Sequence, residues 1–297
     1  MNAAIAPSRA QIWLMACRPK TLPAAIAPVL VGTALAFSDH AFSWGPFLAA
    51  LLGAGLIQIG TNLANDYFDA VKGADTAERL GPVRVTQAGL ASPREVRVAT
   101  ALAFTLAAAV GLYLVAVGGW PIALIGVLSI LSGIAYTGGP YPLGYNGLGD
   151  VFVFVFFGAV AVLGTYFVQA HNLTPLGAWL SVPIGLLATA ILVVNNLRDL
   201  ETDRKSGKRT LAVRFGERFT RWEYALLVTA SYLVPLGLVA TRQLSWFGLL
   251  PVLSVPLAIK LIRAVNTETG RTLNQRLAGT GQLLLVFGIL LSLGVLR

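Results

Sequence analysis

The sequence predicts an all-α, polytopic membrane protein with nine transmembrane helices. Three observations carry this. Of 297 residues, 56% are hydrophobic and 12% charged, with a mean hydropathy of +0.73, whereas a soluble domain carries roughly 25% charge. Apolar stretches of about 17–20 residues recur nine times, each the length a helix needs to cross ~30 Å of hydrocarbon. Lys and Arg are almost confined to alternate connections between these stretches. The composition excludes a soluble globular enzyme. It also excludes a disordered chain, which needs low hydrophobicity and high net charge.

The first stretch, residues 22–38, follows about 20 N-terminal residues and continues to full-span length, so it reads as a retained helix and not a cleaved signal. The second covers 46–65. The third and fourth, 98–117 and 119–136, are divided only by Gly118-Gly119. The remaining five are 151–170, 176–195, 223–241, 245–262 and 277–296. Pro and Gly within them are tolerated where neighbouring helices or a cavity satisfy the freed backbone groups. The chain reads as one integral-membrane domain over 1–297, with polar loops at 66–97, 137–150 and 196–222.

Charge placement sets the orientation. The N-terminal segment 1–20, the connections 66–97, 196–222 and 263–276, and Lys260 together hold 20 of the 22 Lys and Arg residues. The opposite side keeps only Arg242 and Arg297. By the positive-inside rule the N-terminus is cytoplasmic and the C-terminus outside. The net charge of +9 is therefore mainly a topology signal. A nucleic-acid partner is excluded, because the basic residues sit in loops mixed with carboxylates and form no nucleic-acid module. The single cysteine, Cys17, permits no disulfide and no Cys-based metal site within the chain. His40 and His171 fall in the outer connections 39–45 and 171–175.

Two acidic clusters occupy corresponding places. The second span runs into Asn62-Leu-Ala-Asn65-Asp66-Tyr-Phe-Asp69, and the sixth into Asn195-Asn196-Leu-Arg198-Asp199-Leu-Glu201-Thr-Asp203. Asn-x3-Asp therefore recurs at 62/66 and 195/199. Asp66 and Asp69 are three residues apart, Asp199 and Asp203 four, so each pair is expected to share a helix face. Close carboxylates repel and raise each other's pKa. A hard divalent cation relieves that cost, and Mg²⁺ binds one or two carboxylates together with substrate phosphates. The same clusters also fit helix-capping carboxylates wetted at a membrane surface. The asparagines inside apolar spans favour function, since buried polar groups there are costly.

Cations follow each cluster: Lys72 and Arg84, with the neutral Gln87 beyond, after the first; Lys205, Lys208 and Arg209 after the second. They suit phosphate oxygens and equally suit positive-inside anchoring. The connection Tyr136–Asp150 is rich in Gly and Pro, lacks Lys and Arg, and carries Tyr136, Tyr141 and Tyr145. These tyrosines fit either an interfacial belt or contacts to an aromatic ring or phosphate. The run Phe152, Phe154, Phe156, Phe157 fits lipid-facing packing or a groove for an isoprenoid tail.

These segments resemble the UbiA superfamily of intramembrane aromatic prenyltransferases. The likeness rests on RPKTLPAAIAPVLVG (18–32), NDYFDAVKGAD with GPVRVTQAG (65–89), YTGGPYPLGYNGLGD (136–150) and NNLRDLETDRKSGKRTLAVRFG (195–216), and it spans about residues 13–290. It points to the branch that prenylates 1,4-dihydroxy-2-naphthoate. The resemblance implies helices around a central cavity open to lipid, an active site at the cytoplasmic end, and a bacterial plasma membrane as the location. It implies a polyprenyl diphosphate donor, and loss of CO₂ and diphosphate to give demethylmenaquinone. It further implies Mg²⁺ held by Asp66, Asp69, Asp199 and Asp203 with Asn62 and Asn195, Asp75 fitting a longer form of the first motif. Lys72, Arg84, Arg198, Lys208 and Arg209 become candidates for diphosphate contact, and Asn65 for substrate contact. Gln87, Tyr136 and Tyr145 become candidates near the acceptor, with Arg18 and Lys20 beside them. Three other readings stay open at this point: another prenyltransferase of the superfamily (4-hydroxybenzoate, phytyl or haem type), a purely structural membrane protein, and a cation-coupled transporter. Paired carboxylates at helix ends on one side argue against the last, because coupling sites lie near the bilayer midplane.

Overall fold

The computed structural model describes residues 7–73 and 80–296; Asp75 lies outside the described residues. Among these the chain is helical throughout, with no strand. In order come α1 (Arg9–Cys17), α2 (Pro23–Ser38), α3 (Trp44–Val71), α4 (Pro93–Gly118), α5 (Trp120–Ala135) and α6 (Gly149–Val153). A π-helical turn, Phe154–Val160, joins α6 to α7 (Ala161–Ala170). Then follow α8 (Pro175–Arg198), α9 (Leu200–Lys205), α10 (Leu211–Ala240), a 3-10 segment Trp246–Ser254, α11 (Val255–Thr267) and α12 (Leu273–Val295).

The nine apolar stretches all become helical, but not all are equal. Among the described residues seven helices are long and apolar enough to cross a membrane, or eight if the pair Arg9–Thr21 and Pro23–Ser38, bent by 51°, counts as one span. The exception is α5. Its 16 residues reach only ~24 Å at 1.5 Å per residue, less than the ~30 Å core of a typical bilayer. The bend between α1 and α2 falls where Arg18 is left-handed (φ 52°) and Pro19 and Pro23 lack backbone donors.

The core lies between α2, α7, α8, α10 and α12, where Leu35, Ile184, Leu187, Leu284 and Phe287 are fully buried. Glycines set the crossings. A Cβ on Gly32 would lie 2.4 Å from the Val162 carbonyl oxygen, one on Gly158 2.8 Å from the Gly185 Cα, and one on Gly288 2.9 Å from the Ala27 Cβ. Small residues at crossings let membrane helices pack by backbone approach, where lipid supplies no hydrophobic drive between helices. A second, smaller cluster joins Ile12 and Ala16 of α1 to Leu63, Val85 and Val96. It holds the loop that follows α3 against α3 itself.

Candidate active site

A cavity of about 560 Å³ runs between α3, α5, the α6–α7 span and α8. Its polar end gathers Asp69, Asp199 and Asp203, and its far wall is apolar, reaching Ala50 and Val168. On α3 the polar residues Gln58, Asn62 and Asp66 recur every fourth position, so they form one stripe. Gln58 Nε2 and Asn62 Nδ2 both donate to Thr21 Oγ1 (3.1 and 3.0 Å), and Asn62 also donates to the Cys17 carbonyl (3.1 Å). The bend after α1 is thereby tied to α3.

The two carboxylates of the first cluster do different things. Asp66, 1% exposed, accepts the backbone N–H groups of Val85 and Thr86, both at 3.0 Å. That contact fixes the loop and delivers Arg84, which donates to Asp69 Oδ2 at 2.8 Å. Tyr145 donates its hydroxyl to Asp69 Oδ1. Lys208 Nζ lies 3.6 Å from Asp69 Oδ1 and 3.6 Å from Asp203 Oδ1, so one ammonium spans both clusters.

The second cluster is not one continuous helix. α8 stops at Arg198, Asp199 leaves helical geometry (φ −94°, ψ 7°), and α9 begins at Leu200. The Asp203 N–H still donates to the Asp199 carbonyl at 2.8 Å, which keeps both side chains on the cavity side. Arg198 grips Asp199 with two nitrogens and also donates to Asn195 Oδ1 (2.7 Å) and Asn274 Oδ1 (2.8 Å). Gly207, left-handed at φ 78°, closes the next turn, and the Lys208 N–H returns to the Asp203 carbonyl (3.0 Å). The Arg209 N–H donates to the Tyr145 carbonyl (2.7 Å), joining this turn to the Gly-rich connection. Thr137 donates to Asn65 Oδ1 (2.9 Å). Lys72 donates to the Thr137 and Gly139 carbonyls (2.7 and 3.3 Å). Burial lowers the pKa of its ammonium, with Asp69 acting in the opposite sense and Lys208 in the same sense.

The cavity wall thus includes Asn62, Asn65, Asp69, Arg84, Tyr136, Tyr145, Asn195, Asp199, Asp203 and Lys208, and Arg18 as well. Several residues read as candidates do not line it. Asp66 is turned to the loop amides, Lys72 to carbonyls, and Arg198 lies behind Asp199. Gln87 and Arg209 are exposed, because their turns face outward once Val85 and Thr210 are buried. Lys20 and Tyr141 are exposed too. Tyr145 is on the wall, but its hydroxyl serves Asp69. Phe152, Phe156 and Phe157 line the cavity, and the first two stack with centroids 5.9 Å apart. Phe156 and Phe157 lie in the π turn, a geometry that recurs at functional sites. Sequence reading missed Thr21, Gln58, Asn196 and Asn274. Gln58 was visible as a polar residue one turn before Asn62 in an apolar span.

The donor set suits Mg²⁺, being hard oxygens of Asp69, Asp199 and Asp203 with amide oxygens nearby. Among the described residues no three of Asp, Glu, His or Cys converge as a ready metal cage.

The UbiA prenyltransferase family model matches residues 25–293. This chain belongs to the UbiA prenyltransferase family. It is 46% identical over 268 residues to a 1,4-dihydroxy-2-naphthoate octaprenyltransferase of Escherichia coli (strain K12), covering 88% of this chain and 87% of that protein. It is 41% identical over 279 residues to a Mycobacterium leprae protein of the same name, covering 93% of each. A solved UbiA homologue from Archaeoglobus fulgidus, bound to GPP and Mg²⁺, superposes with a TM-score of 0.68 at 14% identity, covering 95% of this chain and 99% of that one. At that identity the likeness concerns the fold. The UbiA fold is therefore shared across a wide range of sequence.

Proposed function

We propose that this chain transfers a polyprenyl group from a polyprenyl diphosphate to 1,4-dihydroxy-2-naphthoate, releasing CO₂ and diphosphate. The product is the prenylated naphthoquinol, the reduced form of demethylmenaquinone. The observation that carries the reading is that Asp69, Asp199 and Asp203 line one cavity whose far wall is apolar. The curated relatives' names supply the acceptor.

Mg²⁺, held by Asp69, Asp199 and Asp203, would supply Lewis-acid stabilisation of the departing diphosphate. Arg84, Lys208 and Arg18 place further positive charge at the same end of the cavity. The allylic C–O bond breaks and diphosphate leaves with the electron pair. The electron-rich ring carbon that bears the carboxylate bonds to the allylic carbon. The electrons of its bond to CO₂ then restore aromaticity. The apolar wall and the Phe152–Phe156 stack exclude the water that would quench the allylic cation. No protein nucleophile is needed, in keeping with His40 and His171 lying outside the cavity wall. We place nine spans in a bacterial plasma membrane, with the N-terminus and the acidic end of the cavity cytoplasmic.

Mass spectrometry of products from purified protein tests this, with dihydroxynaphthoate, 4-hydroxybenzoate, Mg²⁺ and a mixed set of prenyl diphosphates supplied. Prenylated naphthoquinol is expected, and Asp69→Asn or Asp203→Asn should lower turnover by at least ~100-fold with expression retained. Turnover of 4-hydroxybenzoate without dihydroxynaphthoate would overturn the acceptor assignment.

A further inference from the structure

Lys208 has two carboxylate partners from different motifs, Asp69 and Asp203, each at 3.6 Å. We infer that Lys208 is a tethered counter-ion that occupies the place between them until metal and diphosphate arrive together. The inference rests on the metal-dependent diphosphate reading above and concerns how that site is loaded.

The geometry is built and not incidental. Gly207 adopts φ 78°, which favours glycine. The turn it makes returns the Lys208 N–H to the Asp203 carbonyl (3.0 Å), while the Arg209 N–H is fixed on the Tyr145 carbonyl (2.7 Å). The Lys208 backbone is therefore anchored to both sides of the cavity mouth. Its Nζ lies 4.7 Å from the Tyr145 ring centroid, and the same tyrosine donates to Asp69. The side chain is only 12% exposed. Two carboxylates that share one cation would repel each other once it is withdrawn. A lysine solves this reversibly, being a point charge on a flexible stem.

A divalent ion bound to the same oxygens must displace the ammonium, because like charges repel. Metal alone therefore competes with a tethered cation. A diphosphate changes the balance by giving Lys208 a second anionic partner. By linkage, each ligand then raises the affinity for the other by the same factor. Arg84 and Arg198 reinforce this, since they already neutralise Asp69 and Asp199.

The test is Mn²⁺ binding to full-length protein in nanodiscs, followed by electron paramagnetic resonance of the free ion without any diphosphate. Wild type and Lys208→Arg should bind Mn²⁺ weakly. Lys208→Met should bind it at least ~10-fold more tightly, within the usual range of coupling between sites. Lys208→Gln, which retains a polar stem without the charge, should show the same rise and serves if the Met variant does not fold. Adding Asp69→Asn and Asp203→Asn to Lys208→Met should abolish the gain. Equal or weaker binding by both uncharged variants overturns the inference, and so does a gain that survives loss of the two aspartates. If wild type forms prenylated product while the variants show no gain, the counter-ion role alone fails. If wild type neither binds Mn²⁺ nor forms product, the functional reading fails first.

Discussion

At the scale of single residues, the four aspartates share a chemical type but not a task. Asp66 organises a loop through two backbone amides, Asp69 collects Arg84, Tyr145 and Lys208, and Asp199 is gripped by Arg198. Arg198 and Asp199 are 3% and 5% exposed. Removing one partner of such a pair leaves an uncompensated buried charge. Arg198→Met is accordingly expected to destabilise the protein by about 3–5 kcal/mol. Arg198→Met with Asp199→Asn should recover part of that loss. Thermal unfolding in detergent reads both, and a double variant no more stable than the single one contradicts the pairing. The repeat of Asn-x3-Asp made these aspartates stand out in the sequence. Asn274 did not stand out, because its tie to Arg198 and to the Leu80 carbonyl joins residues far apart along the chain.

At the scale of elements, close helix crossings and local breaks aim the site. Gly185 faces Phe154 and Gly158 across the α8 crossing, and a Cβ there would meet the Phe154 carbonyl oxygen at 2.8 Å. Gly185→Val should push α8 away from the π turn, lowering the thermal midpoint by an overpacking cost of at least ~1–3 kcal/mol. Gly237→Ala meets nothing within 4 Å and should leave the midpoint unchanged or raise it, since alanine is the better helix former. Equal effects at the two positions would contradict the crossing argument. Helical spacing predicted a shared face for Asp199 and Asp203. The interruption at Asp199 and the π turn at Phe154–Val160 were not legible, since neither carries a Pro or a Gly pair to mark it.

At the scale of the whole molecule, hydropathy and charge asymmetry predict an orientation. In a Cys17→Ser background, Asn172→Cys should react with a membrane-impermeant maleimide on intact cells. Arg218→Cys should react only after permeabilisation. Both positions are exposed, so reversed labelling would refute the positive-inside assignment. The sequence by itself determined the all-helical membrane class, the charge-rich face, and the carboxylate and cation chemistry of the two motifs. These follow from composition and short-range spacing, which act locally. Only the tertiary structure decided which cation meets which carboxylate. Lys72, Arg84, Arg198, Lys208 and Arg209 look alike as charges near a motif. The packing of α3 against the loops after α3 and α9 turns Lys72 to carbonyls and Arg209 outward, and leaves Lys208 between Asp69 and Asp203. Ion pairing depends on ångström-scale distance and desolvation, and long-range packing sets both.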